Sequence, residues 1–400
     1  MEYFLDLYCT FTKGMHGKQP SQADCYTFIQ LNLYDAVLAY RIQLFAAANI
    51  RHKHLKLEVK TMPFIPQRVV FEQAALNYPM GQQMLTRFSA NSRVKVEVIE
   101  SGKRIRGITG KNLSEAHQEA KRTLVVGIRK TLKFQTCKPS AHFQLPLVTG
   151  CTGRCEYCYL NTQFGKNPYI RIYVNVEEIL NQAADYIEQR QPDITIFEGA
   201  AVSDPVPVEP YTGSLARAIQ FFAGQEYAKF RFVTKYTDIG SILGIEHRQK
   251  TTIRFSINAD RVIRSYEHAT PGLKQRVQAA QQVAQAGYPL GFIIGPVILF
   301  PEWKQQYLQM LENLKDILHS PGPLAFEVIS HRFTSRAKTV INEIYPDNTL
   351  PMNEDERRFK YGQFGYGKFL YPDDEMKSIN SFFIKNIKDM FPNSSINYII

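Results

Sequence analysis

Residues 143–158 read FQLPLVTGCTGRCEYC, an apolar run of strand character that breaks into a polar loop carrying Cys151, Cys155 and Cys158. The apolar half predicts a strand over Phe143–Val148. The half that follows cannot be core, because Thr152, Gly153, Arg154 and Glu156 stand between the cysteines. Downstream, short β-branched and aromatic runs recur at Ile194–Glu198, Phe230–Thr234, Ile253–Ile257, Gly291–Val297 and Ala325–Ser330. Amphipathic stretches separate them. Val176–Gln189 puts Ile179, Leu180, Ala183, Tyr186 and Ile187 on one face, and Leu273–Gln285 is rich in Ala, Gln and Val. Strands alternating with helices predict an α/β fold with a parallel sheet. Six such units are too few for a closed eight-fold barrel, so the expectation is a partial (β/α)6 TIM-type barrel. Chemistry in such folds gathers at the C-terminal ends of the strands, which is where the cysteine loop falls.

The chain has 400 residues, a formal net charge of +11 and six cysteines, Cys9, Cys25, Cys137, Cys151, Cys155 and Cys158. A core of this size needs no covalent staples, and cysteines this sparse do not form a secreted disulfide framework. Three of them crowd into C-x3-C-x2-C. Cysteine thiolates are the usual ligands of a [4Fe-4S] cluster, and three of them leave one iron without a protein ligand. Structural zinc wants four ligands and commonly takes paired C-x2-C knuckles, but no second pair exists. Buried cysteines acting as small hydrophobes would not sit in a polar loop. The positive charge favours a polyanionic partner. No run of eighteen apolar residues occurs, and the first residues lack a signal peptide's basic region and cleavage site, so the expectation is a cytoplasmic protein with no membrane association.

The segment LPLVTGCTGRCEYCYLNTQFGKNPYIRIYVNVEEIL, residues 145–180, closely resembles the corresponding stretch of the spore photoproduct lyase family of radical S-adenosylmethionine (SAM) enzymes. TLVVGIRKTLKF, RFVTK, RFSINAD, AGYPLGFI, SHRFT and RRFKYG are similar to family segments in the same order, from about Met62 onward. The implied organisation is an N-terminal extension over 1–61, an N-terminal family segment over 62–140, the radical SAM partial barrel over 141–340, and a C-terminal segment over 341–400 with a DNA-contacting hairpin. The implied chemistry is direct reversal of two cross-linked thymines. A deoxyadenosyl radical takes a hydrogen from the dihydrothymine C6, the cross-link breaks by β-scission, and the resulting thymine radical then receives a hydrogen atom. Cys151, Cys155 and Cys158 match the cluster ligands. Tyr157 matches an aromatic lying against the SAM adenine, and Ser203, Lys235, Ser256 and Asn258 match the SAM-contact region. Tyr159 belongs to the family's radical relay. Damaged DNA, an external electron donor of flavodoxin or ferredoxin type and a monomeric chain are the implied partners and state.

Two departures stand out. Where the family runs Phe-Glu-Ala-Ser-Cys-Thr-Ser-Asp, this chain has Phe197-Glu-Gly-Ala-Ala-Val-Ser-Asp204, so Ala201 occupies the hydrogen donor's place. An alanine has no weak S–H bond to surrender. Tyr159 is the first substitute, since a phenolic O–H is comparable in strength to S–H. Cys137 reads first as a buried small hydrophobe, and an external thiol or another lesion are further possibilities. In the hairpin, Gln363 and Phe364 replace the family's Arg-Tyr wedge, with Arg357, Arg358, Lys360 and Lys368 nearby. His331, Arg332 and Arg336 are candidates for phosphate contact, His331 also for a satisfied histidine. The rival readings are a radical SAM enzyme with another substrate and a non-catalytic iron–sulfur protein that binds DNA.

Overall fold

The computed structural model describes residues 64–106, 110–165, 168–319, 322–361 and 367–400. The N-terminal extension, Gln363 and Phe364 lie outside the described residues. Six strands form the half-barrel: β1 (Ala141–Gln144), β2 (Thr195–Glu198), β3 (Ala228–Thr234), β4 (Thr251–Ile257), β5 (Leu290–Val297) and β6 (Leu324–Ser330), each parallel to the next. A seventh, β7 (Ser395–Ile399), joins β6 in parallel, and Thr136–Cys137 pairs antiparallel to β1 on the opposite edge. The sheet is therefore open, as six βα units suggested. Helix Val176–Glu188 buries Ile179, Leu180, Ala183 and Ile187, so its apolar stripe faces the sheet as the spacing predicted, with Tyr186 left half-buried.

The first strand departs from expectation. It stops at Gln144 rather than Val148, because Pro146 has no N–H to give the ladder. Val148–Thr149 instead pairs antiparallel with Ile170–Tyr173 in a second sheet, whose parallel members are Lys95–Ile99, Arg68–Glu72, Thr123–Gly127 and Ile170–Tyr173. The sheets thus do not divide at residue 140. The chain leaves the half-barrel after β1, adds two strands to the N-terminal sheet, and makes the cysteine loop on the way.

A buried ion network crosses the half-barrel. Glu198 on β2 pairs with Arg254 on β4, Arg254 reaches Glu327 on β6 at 2.8 Å, and Arg231 on β3 also pairs with Glu327. Ser140 donates to Glu198 at 2.9 Å and Tyr398 of β7 to Glu327 at 2.7 Å. Burial opposes the Glu327 charge, but Arg254 and Arg231 hold its carboxyl below the ordinary range.

Candidate active site

The cysteine loop begins at Gly150, whose φ of +83° and lack of a side chain are both required, since a Cβ there would lie 2.7 Å from the Tyr169 carbonyl. Its backbone N–H donates to the Val202 carbonyl at 3.0 Å, tying the loop to the residues after β2. Cys155 is buried, and Cys151 and Cys158 are half-buried. The Gly153 N–H points at the Cys151 Sγ at 3.3 Å, and Arg154–Cys155 pairs antiparallel with Glu267–His268. Burial pushes the Cys151 thiol up to about 12 and raises Cys155 as well. Thiols so buried stay protonated unless a bound metal takes the proton's place, so Cys151 and Cys155 become thiolates only as ligands. Among the described residues no three His, Cys, Asp or Glu groups converge on a single-ion site; the thiolates of a cubane bind separate irons and need not converge so closely.

Above the loop, the ends of β2, β3 and β4 bring together the expected SAM residues. The Lys235 ammonium donates to the Ser256 hydroxyl at 2.7 Å, pairs with Glu267 at 3.3 Å, and lies 5.8 Å from the centre of the Tyr157 ring. Tyr157 donates its hydroxyl to the same Glu267 oxygen. Arg276 grips the other oxygen at 2.6 Å and the Ser256 carbonyl at 3.0 Å. Burial works against the Glu267 carboxylate, yet Arg276, Lys235 and Tyr157 hold it at about 2. Burial raises Asp204 to about 6, although it accepts from the Lys235 N–H at 3.0 Å and the Thr234 hydroxyl at 2.8 Å. The Ser203 hydroxyl is buried with no hydrogen-bond partner among the described residues. Buried hydroxyls are seldom left so, and one at the mouth of a parallel sheet is a place for a ligand atom. Glu267 and Arg276 were not foreseen from sequence, because neither lies at the end of a predicted strand.

Asn258 requires correction. It is fully buried, its amide donates to the Pro296 carbonyl at 2.8 Å, and its oxygen accepts from Tyr307 at 2.7 Å and the Ala259 N–H at 3.0 Å. It braces β4 against β5 rather than facing a cofactor.

Tyr159 leans out of the loop, 58% exposed, and donates its hydroxyl to the carbonyl of Ala201. Ala201, Val202, Ser203, Gln144, Gln163 and Glu198 line a cavity of about 170 Å³. Gly199 has a packing reason, since a Cβ there would lie 2.7 Å from the Phe230 ring. Cys137 is half-buried rather than core; burial and the Glu198 charge push its thiol up to about 11.

The C-terminal hairpin Arg358–Tyr361 with Gly367–Leu370 exposes Phe359, Lys360 and Tyr361. Arg332 is half-buried and close enough to Lys368 that each cation feels the other, while Arg358 is exposed and pairs with Asp373 at 2.9 Å. Arg357 is a second correction: its guanidinium lies 3.8 Å over the Tyr371 ring and donates to the His331 and Pro351 carbonyls, anchoring the hairpin's base. His331 is buried, and burial lowers it to about 3, so it is a neutral core histidine rather than a phosphate contact.

The family described as spore photoproduct lyase matches residues 64–400. The chain belongs to the spore photoproduct lyase family. It is 52% identical to the spore photoproduct lyase of Clostridium acetobutylicum over 84% of this chain and 98% of that one, and 44% identical to that of Bacillus subtilis over the same shares. A solved spore photoproduct lyase mutant with bound AdoMet and dinucleoside spore photoproduct superposes with a TM-score of 0.82 at 42% identity, covering 85% of this chain and all of that one. A second, complexed with dinucleoside spore photoproduct, also gives 0.82, at 41% identity. Membership in the spore photoproduct lyase family makes the chain a radical SAM lyase of DNA repair. Among the described residues no helix is long and apolar enough to cross a membrane.

Proposed function

We propose that this chain reverses spore photoproduct in DNA, with Cys151, Cys155 and Cys158 holding a [4Fe-4S] cluster and SAM seated against Tyr157, Ser203, Lys235 and Ser256. The observation that carries this reading is the Ser203 hydroxyl, unpartnered among the described residues and next in the chain to Asp204, which accepts from the Lys235 N–H. When bound, the cluster and SAM supply the deoxyadenosyl radical that removes the dihydrothymine C6 hydrogen. The chain's own residues do the rest. Lys235 offers its charge to a carboxylate, Ser203 and Ser256 offer hydroxyls, and Gln144 and Gln163 in the cavity offer amide groups to a thymine edge. Arg332, Lys360 and Lys368 face phosphates, with Tyr361 able to stack on a base opened beside the lesion. The electron enters from a donor of flavodoxin or ferredoxin type, and the enzyme works as a monomer in the cytoplasm.

Tyr159 and Cys137 take over the donor role lost at Ala201. The thymine radical gains one hydrogen atom from this pair, the new C–H bond forms as O–H or S–H breaks, and the unpaired electron is left on the side chain. Anaerobic repair in D2O tests both claims, because O–D and S–D exchange with solvent and C–D does not. One deuterium should appear in the repaired methyl group. Tyr159→Phe and Cys137→Ala should each lower repair several-fold while deoxyadenosine still forms. If both variants repair at the parental rate, the donor is external; if deoxyadenosine forms without any repair in the parent, the lesion is a different one.

A further inference from the structure

Helix Leu113–Lys121 belongs to the N-terminal sheet, yet two of its residues end at the cysteine loop. Lys121 is 3% exposed, and its ammonium donates to the carbonyls of Cys151 at 2.8 Å and Gly153 at 3.0 Å. Those two carbonyls flank the turn that aims the Gly153 N–H at the Cys151 sulfur. One turn earlier on the same face, His117 is fully buried, with Nε2 3.2 Å from the Asn161 side-chain oxygen. The Asn161 amide donates to the carbonyls of Cys155 at 3.1 Å and Glu156 at 3.2 Å. Its NH2 group being committed there, its oxygen must accept, so Nε2 carries the histidine proton. Tyr345, edge-on to His117, donates to the Arg154 carbonyl at 3.2 Å.

We infer that Lys121 and His117 are positioning residues for the iron–sulfur cluster, gripping its ligand loop at both ends, and that the Lys121 charge favours the cluster's reduced state. The inference rests on the reading of the three cysteines as cluster ligands. A loop packed between two sheets must find partners for its carbonyls, and beyond the short Arg154–Cys155 pairing and the Cys158 N–H they come here from side chains. The charge adds a second effect. A cluster that accepts an electron becomes more negative, and a fixed cation in a low-dielectric site stabilises that form more than the oxidised one.

The test compares Lys121→Arg, Lys121→Gln and Lys121→Met with the parent and with Cys151→Ala after anaerobic reconstitution. Bound iron, visible absorbance and the reduced fraction at a fixed dithionite potential are read, together with melting of the iron-free chains. Lys121→Met should bind iron about tenfold more weakly, as outer-shell variants do. Lys121→Gln keeps a donor without the charge and should hold iron but show a several-fold smaller reduced fraction, which Lys121→Arg restores. If Gln and Arg variants reduce alike, the electrostatic role is overturned; if Met loads and reduces like the parent while Cys151→Ala is colourless, the whole inference falls. Should Cys151→Ala keep full colour and iron, the ligand assignment itself is at fault. A Met variant that melts early as the iron-free chain leaves the Gln and Arg pair to decide.

Discussion

Two buried glutamates in this molecule are held in the same way and do different things. Glu327 takes Arg254, Arg231 and the Tyr398 hydroxyl; Glu267 takes Arg276, Lys235 and the Tyr157 hydroxyl. Around Glu327 the charges balance, because Glu198 supplies a second carboxylate to the two arginines. Around Glu267 two cations share one carboxylate, and the buried Asp204, which feels the Lys235 charge, supplies the second. The Glu327 set is closed within the sheet, whereas the Glu267 set lies where β3 and β4 end and its lysine also reaches the Ser256 hydroxyl. Next to Asp204 in the chain, the Ser203 hydroxyl is buried without a partner among the described residues.

The sharpest way to break this contrast is Arg254→Met. Removing one member of the balanced set strands buried carboxylates and should cost about 3–5 kcal/mol in denaturant unfolding of the iron-free chain; a loss below about 1 kcal/mol would show that the network does not carry the barrel. Lys235→Met instead removes the cation at the strand ends. It should leave unfolding within about 1 kcal/mol of the parent, while the KM for SAM rises tenfold or more, the weight of one hydrogen bond to a charged group at about 1.5–3 kcal/mol. An unchanged KM would place SAM elsewhere.

Acid tests the Glu267 side of the comparison. Glu267 titrates at about 2 in the fold against its ordinary 4.5, so its contribution to stability is present above pH 4.5 and is lost as the pH falls toward 2. Glu267→Gln mimics the protonated form, so its stability curve should lie below the parent's at pH 5 and converge with it at the acid end. Parallel curves across that window would show that the carboxylate charge is not what Arg276 and Lys235 hold. The smallest effect belongs to the exposed hairpin: Lys360→Ala should change folding stability little and reduce the slope of log affinity for duplex DNA against log salt by about 1. An unchanged slope would remove Lys360 from the phosphate contacts.

The half-barrel was legible because parallel strands covered on both faces read as continuous apolar runs, as β5 does over Leu290–Val297, while β4 is as deeply buried but carries Arg254 and Ser256 between its apolar residues. Its seventh strand was not, since Ser395–Ile399 follows a helix at the far end of the chain and looks like a tail. The second sheet escaped for a different reason. Ile170–Tyr173 lies between two half-barrel strands in sequence, with the cysteine loop between it and Val148–Thr149 and the whole of β1 between it and Thr123–Gly127. At the site, cysteine spacing and resemblance reached the ligands, Lys235, Ser256 and Ser203, while composition said nothing about burial. Lys121 and His117 resemble ordinary helix-surface residues in the sequence, and Arg357 resembles a free cation in a basic run. Burial reverses the first reading and the contacts of Arg357 the second, and both are properties of the assembled fold.

The path of the chain between its two sheets also sets an order in time. As the polypeptide is made, Lys121 and His117 emerge before the cysteines, and Ile170–Tyr173 soon after them, so one side of the ligand loop can be gripped early. Glu267 and Arg276 arrive later, between β4 and β5, and Tyr345 only after β6. The cysteine loop is therefore half-held first, and closed from its other side only when the half-barrel is nearly complete.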